Sequence, residues 1–439
     1  MARQVADFPG APREALDIAK GGFIDTVGVL LAARNDPAVH PVQALALEGA
    51  PSGEATVLAS ELRTRAADAA LVNATAAHAL AMDDVAFACH PSAMLVPALL
   101  AAGEAADSSG LQALNAYVVG YELLAGMRLR ESGAGTASAW HASGIAGPVA
   151  VAGAVCHLWG LPPEQTEHAL NIAASMSGGL FANFGTPTKA LHVGRAAASG
   201  IQAATLAKRG LPASPQAVAA LLKAASTGSI DLSATSSDTI SLHILAHGLS
   251  VKKYPIAYVT HRLVDAAVDI AAKPGFAPAQ VASIGVAIGS RQAALAGKHD
   301  PRTPLEAKYS VEFAVAGGLL AGGVGLAQLR QDFLDDPQLQ RLMASTTITL
   351  LEARDPEDPL FSPSDRLRVI MKNGKVLDSG EVAYARGHAH LPMAEADRRR
   401  KFDDCLAAGS FGDGARLYHS LQNLDSLPAL RRLFQHPTA

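Results

Sequence analysis

Ile145-Ala146-Gly147-Pro148-Val149-Ala150-Val151-Ala152-Gly153-Ala154-Val155-Cys156-His157-Leu158-Trp159 carries small apolar residues on almost every face. A surface helix shows one apolar stripe, so a segment apolar all round belongs inside a packed body of helices or in a membrane. Gly147, Pro148, Gly153 and His157 interrupt this run and it falls short of a bilayer span, which leaves a buried core helix. The same small-residue pattern recurs at Leu71–Met82, Ala93–Ala106, Leu111–Leu129, Pro163–Met176, Ala190–Arg209 and Pro215–Ala225, closed by Gly, Pro or Ser clusters. From Arg13 to Ala33, Leu16, Ala19, Phe23, Val27 and Leu30 recur at helical spacing. Ala is the best helix former, and its small side chain lets helices approach closely.

Near Val251 the character changes. Val281–Ile288, Thr346–Leu350 and Arg366–Met371 alternate β-branched residues as strands do. Lys372-Asn373-Gly374-Lys375 predicts a two-residue Asn-Gly hairpin turn, with Val376–Val382 as the return strand. Ala394–Ala408 and Gly414–Phe434 return to helix. The expected fold is mainly α: a large all-helical domain over 1–247, a smaller inserted α+β lid domain over 248–390, and C-terminal helices over 391–439 rejoining the helical domain.

With 439 residues, 49% hydrophobic and 17% charged, the chain can bury a large core and is not disordered. Aromatics at 5% argue against a β-sandwich or barrel. A net charge of −4 gives no electrostatic basis for nucleic-acid or anionic-membrane binding. Cys89, Cys156 and Cys405 lie far apart, which disfavours a disulfide framework, a Cys-ligated zinc and a cysteine-held iron–sulfur cluster. The N-terminal stretch has no apolar signal region, so a cytoplasmic protein is expected. Phosphate-loop, HExxH, GxSxG and EF-hand patterns are absent, and the Gly-rich Gly317–Gly325 lacks dinucleotide spacing.

The informative residues are therefore polar groups set in small apolar sequence, because burying them costs free energy unless they are paired or used. Four places qualify. Asp83-Asp84 with His90-Pro91-Ser92 ends an Ala-rich helix; a helix cap or local ion pair is the plain alternative to a site. Trp140-His141 opens a long buried helix, where His141 could simply be an N-terminal hydrogen bonder. Thr186-Pro187-Thr188-Lys189 with His192 enters another helix, Lys189 and His192 sharing one face. A lysine at a helix start is disfavoured by the dipole unless it is solvated or an anion sits there. Lys252-Lys253-Tyr254-Pro255 with Thr260-His261 falls at the expected domain boundary, where surface lysines on a linker are the plain reading. Together the four offer imidazoles, ammonium groups and a carboxylate pair: cations to recognise a carboxylated substrate, and groups that move a proton at the carbon beside a carboxylate or carbonyl.

In this order, His78-Ala79-Leu80, Asp83-Asp84, His90-Pro91-Ser92, Trp140-His141, Gly185-Thr186-Pro187-Thr188-Lys189, Leu191-His192-Val193-Gly194 and Lys252-Lys253-Tyr254-Pro255 resemble the MmgE/PrpD family over nearly the whole chain. That family includes 2-methylcitrate dehydratase, cis-aconitate decarboxylase and iminodisuccinate epimerase activities. The resemblance implies a homodimer, a small carboxylated metabolite as partner, no cofactor and no metal. It implies His90, His141, Lys189, Lys252 and Asp84 as catalytic, and Asp83, Thr186, His192, Lys253 and Tyr254 as substrate-binding. The chain departs from the family pattern at Ala81 and Val85, where Asp and Thr are usual. It departs also at Ile256-Ala257, where a His or Cys is frequent, and at Phe313, where Tyr closes a Phe-Ser-x-x-Tyr motif. The leading expectation is a cofactor-independent lyase of the dehydratase type acting on a small di- or tricarboxylate. An isomerase or epimerase, a decarboxylase, and a catalytically silent binding protein are the alternatives.

Overall fold

The Ala-rich segments fold as helices: α1 (Arg13–Ala32), α2 (Ala66–Ala79), α3 (Pro91–Ala105), α4 (Gly110–Arg128), α5 (Ala142–Leu158), α6 (Pro163–Ser175), α7 (Thr188–Lys208) and α8 (Ala217–Ala225). The computed structural model describes residues 1–48, 53–58, 60, 62–132, 139–226, 229–231, 242–356 and 358–434. It divides into two compact units, Met1–Ser250 with Ala394–Ala439, and Val251–Met393.

In the first unit α7 packs on both α2 and α5, with α3 against all three and α4 against α3 and α5. Residues Pro91 to Gly103 of α3 are all buried, as expected of a helix without a polar face. Gly194 sets the closeness of α7 to α2, because a Cβ there would lie 2.2 Å from the Thr75 hydroxyl and 2.5 Å from the Leu71 carbonyl. Pro148 sits inside α5 and cannot donate to the Gly144 carbonyl four residues back. That carbonyl instead accepts the Gly178 N–H at 3.0 Å, which ties the loop before α7 to the start of α5.

The second unit contains a four-stranded sheet of β1 (Val281–Gly289), β2 (Thr346–Leu351), β3 (Asp365–Met371) and β4 (Val376–Val382), in the order β4-β3-β1-β2. β1 pairs in parallel with β2 and antiparallel with β3, and β3 pairs antiparallel with β4. Helices α9 (His261–Ala271), α10 (Val311–Ala321) and α11 (Pro337–Ala344) share a core with it, which includes Leu263, Ile284, Phe313 and Leu342. The β3–β4 turn corrects the sequence expectation. Asn373 keeps a negative φ, Gly374 alone takes the left-handed region (φ 81), and Met371 pairs with Lys375 across a three-residue loop. The Asn373 side chain accepts the Lys375 N–H at 3.0 Å, which favours this form over a two-residue turn.

The chain then returns to the first unit as α12 (Glu395–Ala408) and α13 (Gly414–Gln422). The single helix expected from Gly414 to Phe434 is a second correction: after Gln422, among the described residues, only short 3₁₀ turns follow, at Leu424–Ser426 and Leu430–Arg432. Pro428 cannot continue the ladder, and Asp425 is drawn into ion pairs with Arg13 and Lys20 of α1. Among the described residues no helix is long and apolar enough to cross a membrane.

Candidate active site

Four helix ends of the first unit bring the candidate side chains together. His78 is the last residue but one of α2. The chain then turns through Ala81, held left-handed at φ 55 directly after the helix, and reaches Asp83 and Asp84. His90 is the N-cap of α3, His141 the N-cap of α5, and Lys189 the second residue of α7. The Gly179 carbonyl accepts the His141 N–H at 2.9 Å, and the Ser143 hydroxyl of α5 accepts the His90 N–H at 3.0 Å. Gly179 has a φ of 134, and a Cβ there would meet the His192 ring at 2.9 Å, so only glycine lets this loop pass.

Asp83, fully buried, organises the cluster. One of its carboxylate oxygens lies 2.8 Å from His78 Nδ1 and 3.0 Å from His90 Nδ1. His90 Nδ1 also lies 2.9 Å from the Asp84 carbonyl. Both Nδ1 atoms thus face acceptors and carry a ring hydrogen, which leaves Nε2 of each ring as the nitrogen able to exchange a proton. His78 Nε2 accepts from the Lys189 ammonium at 2.9 Å. The ring centroids of His78 and His90 lie 4.4 Å apart, those of His78 and His141 5.8 Å, and those of His90 and His141 6.1 Å. His141 Nδ1 meets His192 Nδ1 at 3.3 Å, while His141 Nε2 is buried without a hydrogen-bond partner. The Phe184 ring borders the group, 5.0 Å from His141 and 4.9 Å from the Lys189 nitrogen.

Burial dominates the electrostatics. It holds His78 and His141 well below the usual imidazole range; the Lys189 charge and the other imidazoles push the same way, and for His78 the Asp83 carboxylate opposes. His192 is lowered by burial and then by Lys189. Lys189 is drawn down to about 8 by desolvation, against the pull of Asp83. Burial pushes Asp84 up to about 7, opposed by hydrogen bonding to Ser92 and reinforced by the charges of Asp25 and Asp83. The Asp84 Oδ1 atom accepts the Ser92 N–H at 3.1 Å, and Oδ2 is buried without a partner.

The structure therefore brings together Asp83, Asp84, His90, His141, Lys189 and His192. It adds His78, to which sequence reading gave no role; an imidazole five residues ahead of Asp83, at the end of an Ala-rich helix, was the available signal. The Thr186 hydroxyl is exposed and donates to the Asn183 carbonyl in its own loop. Lys252, Lys253 and Tyr254 belong to the second unit. There Lys252 is buried, Lys253 lies over the Tyr254 ring, and the Tyr254 hydroxyl donates to Asp265 at 2.7 Å. Phe313 is fully buried in the core of that unit, one turn after Ser310 caps α10.

Helices α3, α5 and α7 all start at this cluster with N-cap residues that make no side-chain cap bond of their own; at α3 the Asp84 carboxyl takes the Ser92 N–H, and at α7 the Thr186 carbonyl takes the Lys189 N–H. The positive ends of three helix dipoles and an ammonium group make the position favourable for an anion. Imidazoles and a raised carboxyl beside it can accept and deliver protons near neutral pH. His78, His90 and His141 also present ring nitrogens within 4.8 Å of one another, the donor set of a three-histidine metal site. A metal ion on His78 Nε2 has to displace the Lys189 ammonium that occupies it.

Residues 3–230 match the model of the MmgE/PrpD N-terminal domain, and residues 254–422 that of the MmgE/PrpD C-terminal domain. The mouse (Mus musculus) cis-aconitate decarboxylase is 26% identical over 392 residues, covering 84% of this chain and 78% of the relative. The human (Homo sapiens) cis-aconitate decarboxylase is 27% identical over 396 residues, covering 84% and 79%. The cis-aconitate decarboxylase-like protein oryM of Aspergillus oryzae is 31% identical over 210 residues, covering 45% and 44%.

Proposed function

The chain belongs to the MmgE/PrpD family, and on that premise we propose that it is a cofactor-independent lyase acting on a small di- or tricarboxylate by proton transfer at the carbon beside a carboxylate. The observation that carries this reading is the convergence of three helix N-termini and Lys189 on the imidazoles of His78, His90 and His141. Lys189 and the helix ends hold a carboxylate. His90 and His141 exchange protons with the substrate and its leaving group, and the unpartnered Nε2 of His141 is placed to touch it. Asp83 fixes the tautomers of His78 and His90, His192 orients His141, and Asp84 serves as a carboxyl that changes charge near neutral pH. Loss of water needs a base for a carbon-bound proton and an acid for the hydroxyl. Loss of carbon dioxide needs an acid to protonate the carbon that is left, and the same set serves either. The names of the mouse and human relatives make decarboxylation of an unsaturated tricarboxylate the first reaction to test.

The test incubates the purified protein with cis-aconitate, 2-methylcitrate and related acids in D₂O, following products by NMR. A new alkene or loss of carbon dioxide supports a lyase, whereas deuterium uptake without elimination supports an isomerase instead. His141→Ala should lower turnover by about 10²- to 10⁴-fold, the range for loss of a positioned proton-transfer group. Lys189→Ala, which loses a carboxylate contact, should lower turnover at subsaturating substrate by about tenfold or more. Unchanged turnover in both variants contradicts the roles assigned here.

A further inference from the structure

We propose that Asp83, His78 and Lys189 form a triad in which His78 is a positioning residue for the Lys189 ammonium, a refinement that rests on the carboxylate-lyase reading above. The geometry is that of a nucleophile–histidine–carboxylate relay with an amine at its head. Asp83 Oδ2 lies 2.8 Å from His78 Nδ1, and His78 Nε2 lies 2.9 Å from Lys189 Nζ. His78 is buried at 2% exposure, so it acts through the lysine rather than on a substrate. Asp83 fixes the His78 tautomer with its lone pair on Nε2, and that lone pair can only face a donor. One ammonium hydrogen is thereby committed to His78 and the remaining two are aimed elsewhere, so a flexible side chain carries a defined charge at a defined place.

The groups acting on Lys189 are Asp83, which favours its charge, and His78, His90, His141 and His192, each coupled to it or to its neighbours. Of these, His78 makes a direct hydrogen bond to Nζ at 2.9 Å. Removing that acceptor destabilises the charged form, so the amine should lose its proton at lower pH. The loss of one charge-assisted hydrogen bond corresponds to a shift of about one pH unit.

Glutamine and asparagine separate positioning from packing. His78→Gln places an amide oxygen near the Nε2 position and retains an acceptor for Lys189. His78→Asn reaches only the Nδ1 position beside Asp83, and His78→Leu removes both. Trace acetylation of Lys189 with acetic anhydride, quantified by peptide mass spectrometry across pH 6–10 (about the range the lysine spans), reports its ionisation without any substrate. The wild type and His78→Gln should share one midpoint, while His78→Asn and His78→Leu should fall about one unit lower, with the alkaline limb of kcat moving alongside. Equal midpoints for the Asn and Gln variants, whether both shifted or both unshifted, overturn the proposal. If His78→Leu does not fold, the Asn/Gln pair decides. If the wild type turns over no carboxylate, the lyase reading fails, and the labelling still decides the triad.

Discussion

Asp84 shows how a single side chain can report on this site. Its carboxyl is fully buried, has one oxygen on the Ser92 N–H, and sits near about 7 where an unfolded aspartate titrates near 4. Between those values the folded state holds a proton that the unfolded state has released, so stability is greatest below the unfolded pKa and falls as pH rises to about 7. Asp84→Asn removes this term. The stability of the variant relative to wild type, from urea unfolding at pH 4, 5.5 and 7, should rise with pH by up to about 4 kcal/mol; a pH-independent difference contradicts the assignment. The polar residues themselves were legible, because His, Asp and Lys stand out in Ala-rich sequence. What the sequence does not display is partnership. That Asp83 serves two imidazoles, or that Lys189 meets His78 across 111 positions, depends on how closely α7 lies on α2, which Gly194 permits. Ala81 is similar: it follows α2 at a left-handed C′ position, where glycine or a short polar side chain is the easier fit.

At the scale of elements, the loop joining α2 to α3 is held from the far end of the chain. Lys401 of α12 donates to the Met82 carbonyl at 2.8 Å and pairs with Asp25 of α1 at 2.6 Å, with both side chains at least nine-tenths buried. Removing only the lysine leaves a buried carboxylate facing none of that charge, so Lys401→Met should lower stability by about 3–5 kcal/mol. The double variant Lys401→Met/Asp25→Leu should recover most of the loss, and a double-mutant cycle by urea unfolding checks this. Additive losses would mean that the pair is not coupled. Helices were legible because small apolar residues without β-branched runs leave little alternative. Their ends were less so: α2 begins at Ala66 rather than Leu71, and the C-terminal helix stops at Gln422 where tertiary ion pairs on Asp425 and the block at Pro428 take over. The hairpin likewise has the expected Asn-Gly, but the Asn373 side chain selects a three-residue loop.

Over the whole molecule, β-branched alternation after Val251 announced the small sheet, and Ala-rich sequence announced the helical body. The sheet order could not be read, since the parallel β1–β2 pair and the central place of β1 come from packing of α9, α10 and α11 rather than from any local signal. The site as described lies in the first unit, although its expected cations were spread over both; Lys252, Lys253 and Tyr254 belong to the second. The account's central claim is that the first unit's helix N-termini and Lys189 create a carboxylate-binding centre. Titration calorimetry with propane-1,2,3-tricarboxylate and its uncharged trimethyl ester addresses that claim without requiring turnover. Saturable one-site binding of the acid, about tenfold or more weaker in Lys189→Ala and absent for the ester, is the predicted result; equal binding of acid and ester, or unchanged affinity in Lys189→Ala, would contradict it.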